Sequence, residues 1–142
     1  MPVFRKDTFG RAWVLLSPER GLVPSDFGSV PEPAERSPLS PGSRAVTEVA
    51  SYGGGGEAGA PWSMRVVEHP HDTLSERRFV EEGDALFRHG PSTGHQEIIV
   101  EHPDARQTLD RMPRSHLVDV LRLYRDRIAL HGEKPGVRHV QL

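Results

Sequence analysis

The chain has 142 residues, 35% of them hydrophobic, with 18 lysines and arginines against 20 aspartates and glutamates. This length allows one domain or part of a larger one, and the balanced charge does not favour nucleic acid as a partner. The lack of cysteine excludes disulfides and thiolate metal sites. No run approaches the roughly 20 apolar residues of a membrane helix, and the N-terminus is not typical of a signal peptide. We therefore expect a soluble cytoplasmic protein without a membrane partner.

The first predicted strand is the apolar run RAWVLLS at Arg11–Ser17, which Gly10 and Pro18 bound. No sustained periodicity follows from about Gly21 to Pro61, where glycine and proline are abundant. Such a composition buries too little surface to offset chain entropy. Residues 21–61 are therefore predicted to form a long, largely flexible loop, although a loop of this length is unusual inside a compact domain.

Two stronger strand predictions follow the loop. WSMRVVEH, at Trp62–His69, is predicted to place Met64 and Val66 on one face of a strand. GHQEIIVEHP, at Gly94–Pro103, contains a continuous apolar run, which is typical of a strand covered on both faces. Between them, residues 77–90 are predicted to be mostly irregular, with room for one short strand or turn.

One long helix is predicted from about Arg114 to His131, with Gly132 as its C-terminal stop. Its apolar face is predicted to consist of Leu117, Val120, Leu121, Tyr124 and Ile128. The chain then turns and begins VRHVQL, at Val137–Leu142, which alternates as a strand does. These elements predict an α+β fold with antiparallel strands packed on one main helix.

The stretch RSPLSPGSR, at Arg36–Arg44, predicts a tight knuckle. Pro41 fixes φ and Gly42 admits a positive φ, as a tight turn requires. A knuckle of the form X-P-x-X-P-G binds zinc when X is cysteine. Here X is serine, at Ser37 and Ser40, and a protonated hydroxyl is a poor zinc ligand.

Other polar groups have ordinary interpretations. His69 and His71 have the H-x-H spacing of a metal chelate, but two ligands in a polar loop favour solvated histidines. Gly53–Gly56 lacks the lysine and hydroxyl of a phosphate loop and is predicted to be a linker. Three arginines of the helix, Arg122, Arg125 and Arg127, are predicted to form a solvated face together with interleaved aspartates.

The ordered series of segments resembles the N-terminal half of the hexose-1-phosphate uridylyltransferases, of the histidine-triad (HIT-like) superfamily, whose best-known member acts on galactose 1-phosphate. The segments are RKDTFGRAWVLLSPERGLVPSDF, SPLSPGS, WSMRVVEHPHDTL and GHQEIIVEHPDARQTLDRM, followed by the helix and VRHVQL. No single motif is decisive, but their order covers nearly the whole chain. The resemblance implies the N-terminal portion of this fold, incomplete at its C-terminus, and transfer of a uridylyl group from UDP-glucose to a hexose 1-phosphate in galactose metabolism.

The resemblance also implies that a zinc site has been lost. Many family members have C-P-x-C-P-G, with cysteine ligands at the positions of Ser37 and Ser40. A third ligand is the histidine of an S-P-D-H-like turn, where this chain has HPDA and Ala105. The fourth position lies beyond residue 142. Because none of the three covered positions offers a thiolate or imidazole, no metal or other cofactor is predicted.

On the substrate side, the resemblance implies that Arg20 binds the nucleotide's phosphates through its guanidinium. Val23 stands where a second basic residue is often found, and His69 replaces an asparagine that helps to hold the nucleotide. The family's nucleophilic histidine, in H-P-H-x-Q, would follow the strand begun by VRHVQL, so no catalytic residue is assigned here. The implied partners are a UDP-hexose and a hexose 1-phosphate.

Three functional hypotheses remain open. The first is a uridylyltransferase portion that is inactive alone and marginally folded, with the unpaired edge of VRHVQL promoting self-association, for example as a homodimer. The second is a zinc-free relative that acts on another nucleotide sugar. The third is a non-catalytic binding module or a truncated gene product.

Overall fold

The computed structural model describes residues 1–18, 37–53, 62–69 and 73–142. The fold is α+β, as predicted: within these ranges, six short strands form two antiparallel three-stranded sheets, and there is one long helix. The chain divides into two compact units, each with one of the sheets.

The first unit comprises residues 1–31 and 71–96. Its sheet has the order β2-β1-β5, with β1 at Val3–Lys6, β2 at Trp13–Leu16 and β5 at His89–Pro91. β2 confirms the first predicted strand, whereas β1 was not predicted. β5 is the short strand for which the sequence left room.

The second unit comprises residues 32–70 and 97–142, and its sheet has the order β3-β4-β6. The predicted strands are confirmed as β4, at Met64–Glu68, and β6, at Glu97–Val100. β3, at Glu48–Tyr52, lies within the range predicted as a loop and pairs antiparallel with β4. Local periodicity gave no signal for β3, because its strand conformation depends on pairing with a distant segment. Most of the rest of that predicted loop lies outside the described residues.

The helix, α1, runs over Arg114–Gly132 and confirms the predicted helix. A short 3-10 turn at Leu109–Arg111 precedes it, and Pro113 occupies its N-cap, where the missing N–H of proline costs nothing. The core of the second unit lies between α1 and the sheet, and its buried members are Met64, Val66, Met112, Val120 and Leu123. Within the described residues, no helix has both the length and the apolar character needed to cross a membrane.

The apolar face of α1 differs from the predicted one. Val120 is buried as expected, but the other buried position of the helix is Leu123. Leu121 is 55% exposed and Ile128 is 40% exposed, so both lie at the margin of the face or outside it. Helical periodicity alone could not show that Leu123 is buried and Leu121 exposed, because the buried face of α1 also carries polar groups that pair with β6.

The prediction of a strand at VRHVQL is wrong, since residues 137–142 have no strand conformation in this structure. An alternating sequence permits a strand, but a strand forms only where a neighbour accepts and donates its backbone hydrogen bonds. Self-association stays a prediction, but residues 137–142 do not provide the strand edge on which it was based.

Candidate functional site

The part of the predicted knuckle at Ser37–Ser43, called the knuckle from here on, forms a tight turn as predicted. The N–H of Ser40 donates to the carbonyl of Ser37 at 3.0 Å, and the N–H of Ser43 donates to the carbonyl of Ser40 at 3.1 Å. Gly42 has a φ of 79°, the left-handed conformation that glycine adopts without strain. Two consecutive turns therefore bring Ser37 and Ser40 together.

The residues at the positions where the resemblance implies zinc ligands do not offer the groups that zinc requires. The hydroxyl of Ser37 accepts a hydrogen bond from the N–H of Leu39 at 3.2 Å, so its oxygen serves the local turn. Ala105 is exposed and has no donor atom in its side chain. Among the described residues, no group of three or more histidine, aspartate or glutamate side chains could hold a metal ion.

A buried arginine lies against the knuckle. Arg65, at the second position of β4, is only 3% exposed. Its Nη2 donates to the carbonyl oxygens of Ser40, at 3.3 Å, and Pro38, at 3.5 Å. The guanidinium lies over the ring of Trp62, with 4.8 Å between its central carbon and the ring centroid. Its Nε is buried, and no described residue forms a hydrogen bond with it.

The HPDA turn follows β6 and forms a local polar network. The Nδ1 of His102 accepts the N–H of Asp104 at 3.0 Å, which places the proton of a neutral His102 on Nε2. Hydrogen bonds from the side chain and backbone of Arg106 lower the pKa of the Asp104 carboxyl. Ala105, which the resemblance aligns with a third zinc ligand, thus lies between two residues that pair with each other.

A second polar cluster joins α1 to β6. Glu97, on β6, accepts hydrogen bonds from Arg127 Nη2 at 2.5 Å and Arg127 Nε at 2.9 Å. His131 Nε2 lies 3.0 Å from Glu97 Oε2. The three side chains are 12–15% exposed. Burial raises the pKa of Glu97, but hydrogen bonds from Arg127 and His131 outweigh it and leave the pKa below its usual value.

The prediction of a solvated arginine face is therefore wrong for Arg127, because the Arg127 side chain pairs with Glu97 in the contact between helix and sheet and is largely buried. It holds for Arg122 and Arg125, whose side chains are 64% and 73% exposed and pair with neighbouring aspartates on the helix.

The implied nucleotide-binding residues are mostly outside the described part of the chain. Arg20 and Val23 lie there, as does His71 of the H-x-H pair. His69 is described: it follows β4 directly and is half-buried. The structure therefore positions His69 at the end of the central strand, and it provides no test of the roles of Arg20 and Val23.

Sequence reasoning missed two features of this unit. One is Arg65, for which an arginine amid the apolar residues of a predicted strand was the available signal. The other is the Glu97–Arg127–His131 cluster, where Arg127 and His131 are four residues apart and share one helix face. Neither signal identifies the distant partner, since Arg65 and Ser40 are 25 residues apart in the chain and Arg127 and Glu97 are 30 residues apart.

Comparison with known proteins gives a distant relationship to an enzyme of nucleotide-sugar chemistry. That relative is ADP-glucose phosphorylase from Arabidopsis thaliana, which is 24% identical over an alignment of 155 residues. The alignment covers 99% of this chain and 42% of the relative, so the chain spans less than half of the relative's length. No family model matches the chain. No solved structure matches it either.

Proposed function

We propose that this chain is a nucleotide-sugar-binding portion of a nucleotidyltransferase of the hexose-1-phosphate uridylyltransferase type, with the fold of the histidine-triad superfamily. The observation that carries the proposal is the similarity over 99% of the chain to an enzyme named for ADP-glucose. The order of the sequence segments supports the same relationship. So does the α+β fold, in which β2, β4, β6 and α1 follow one another as the resemblance implies.

Within this proposal, Arg20 binds a phosphate of the nucleotide. A guanidinium forms two parallel hydrogen bonds to phosphate oxygens, which fixes orientation as well as adding charge. His69 lies close to the nucleotide at the end of β4, and Val23 contributes no charge. The sequence contains no H-P-H-x-Q segment, so the 142-residue chain is proposed to bind without transferring a nucleotidyl group.

A second candidate is a zinc-free relative that prefers a nucleotide sugar other than UDP-glucose. The similarity to ADP-glucose phosphorylase favours ADP-glucose as that ligand. The zinc-free part rests on Ser37, Ser40 and Ala105, none of which offers a thiolate or imidazole.

The test is a titration of UDP and ADP into the wild-type chain, Arg20→Ala and the control Arg122→Ala. Arg122 is an exposed helix arginine whose partner, Asp119, is also exposed. Loss of a charge-assisted contact with phosphate costs about 1.5–3 kcal/mol, so Arg20→Ala should weaken binding by at least about tenfold. The control should bind as the wild type does.

The outcomes separate the alternatives. Stronger binding of ADP than of UDP would support the second candidate. Equal binding by wild type and Arg20→Ala would remove Arg20 from the site. No binding of either nucleotide would contradict the proposal and leave a non-catalytic module or a truncated gene product.

A further inference from the structure

The knuckle keeps an ordered double turn although its side chains cannot bind zinc. Two backbone hydrogen bonds, from the N–H groups of Ser40 and Ser43, close its turns. Isolated turns of this length are weak, because each hydrogen bond fixes several backbone dihedral angles. Something outside the knuckle must therefore contribute to holding it against the sheet.

Arg65 is the described side chain that makes this connection. It belongs to the central strand of its sheet, and its Nη2 reaches two knuckle carbonyls, those of Pro38 and Ser40. A cationic donor roughly doubles the strength of a hydrogen bond to a neutral acceptor. The ring of Trp62, which is itself buried, supports the guanidinium from one face.

We infer that the guanidinium of Arg65, rather than a metal ion, clamps the knuckle to β4. The positive charge of Arg65 lies against the carbonyl oxygens of Pro38 and Ser40, and it would repel a cation placed beside them. Because this clamp involves only the knuckle, Arg65 and Trp62, it would operate whether or not the chain binds a nucleotide.

The burial of Arg65 predicts that the clamp affects the local stability of the knuckle more than the global stability of the protein. Among the described residues, no carboxylate forms an ion pair with Arg65, and its Nε lacks a hydrogen-bond partner. A buried charge with incomplete partners adds little to global stability, and an apolar residue of similar size can replace it without loss. Arg65→Met should therefore loosen the knuckle while changing the unfolding midpoint of the protein only slightly.

The experiment measures amide hydrogen exchange by NMR in the wild type, Arg65→Met and Arg65→Lys. In Arg65→Met, exchange at Ser40 and Ser43 should accelerate at least about tenfold, while β6 amides paired with β4 keep their rates. Lysine keeps the charge but lacks the planar fork, so Arg65→Lys should remain at least about threefold faster than wild type. Arg122→Met, at an exposed helix position, serves as the control and should leave all rates unchanged.

A second arm uses the wild type alone, with and without a large excess of a zinc chelator. The clamp predicts identical exchange at Ser40 and Ser43 in both samples, and acceleration by the chelator would overturn it. Unchanged exchange in both Arg65 variants would also overturn it. Global unfolding of both variants, seen as loss of the helical signal of α1 in circular dichroism, would make Arg65 a general core residue and overturn the local clamp.

Discussion

Replacing Glu97 with glutamine tests whether the Glu97–Arg127–His131 cluster holds α1 on the sheet. The substitution keeps the size of the side chain and removes its charge. In the wild type, the carboxylate accepts hydrogen bonds from both Nε and Nη2 of Arg127, at 2.5–2.9 Å, and faces His131 Nε2 at 3.0 Å. Glutamine can accept from one of these donors, so the Arg127 guanidinium would remain in the helix–sheet contact without a counter-charge.

The expected loss of stability follows from the burial of the pair. Breaking a fully buried ion pair by removing one partner costs about 3–5 kcal/mol. The Glu97 and Arg127 side chains are 15% and 12% exposed, and one hydrogen bond can persist, so we expect about 2–3 kcal/mol at neutral pH. The control, Asp119→Asn, breaks the exposed pair with Arg122 and should cost less than about 1 kcal/mol.

Urea unfolding, followed by the circular dichroism of α1, measures both variants at several pH values. The folded protein lowers the pKa of Glu97, so the carboxylate contributes stability above its ordinary pKa of about 4.3 and loses that contribution as the pH falls through the folded value. The difference between wild type and Glu97→Gln should therefore be largest near neutral pH and shrink below about pH 4. A difference under about 0.5 kcal/mol at pH 7, or one that does not shrink in acid, would refute this reasoning.

Three further predictions concern the knuckle, the metal and the activity. Gly42→Ala should destabilise the protein by about 1–2 kcal/mol in urea unfolding, because Gly42 has a φ of 79°. The control Gly132→Ala should not destabilise it, because Gly132 is in the last turn of α1 and, like Gly42, has space for a methyl group. Equal effects of the two substitutions would contradict the conformational explanation. Elemental analysis of protein purified without a histidine tag should find well under one zinc per chain, and a stoichiometric zinc that resists chelators would contradict the lost site. Uridylyl transfer from UDP-glucose should be undetectable in the 142-residue chain, and turnover that survives rigorous removal of host enzymes would show otherwise.

The sequence predicted the elements whose own residues specify them. β4 and β6 have strong apolar runs, and α1 has sustained helical periodicity, so local pattern was sufficient. β1 and β3 have short, partly polar sequences, VFRK and EVASY, and become strands because a neighbour supplies their hydrogen bonds. The converse holds at the C-terminus, where VRHVQL alternates without forming a strand.

The same distinction between local and distant determinants applies to the candidate site. The knuckle was predicted because Pro41 and Gly42 constrain the backbone through their own covalent structure. Arg65 and Glu97 were not predicted as structural residues, because each acts through a partner that is distant in the chain. A pattern of residue types identifies a turn, but it does not show which distant carbonyl or carboxylate a buried guanidinium will meet.

The most direct test of the account is equilibrium binding of UDP-glucose and ADP-glucose to the wild-type chain, measured by calorimetry with and without a chelator. We expect saturable binding of at least one of the two nucleotide sugars, at one site per chain, with an affinity that the chelator does not change. Failure of both nucleotide sugars to bind, or binding that disappears on chelation, would contradict the proposal of a zinc-free nucleotide-sugar-binding portion.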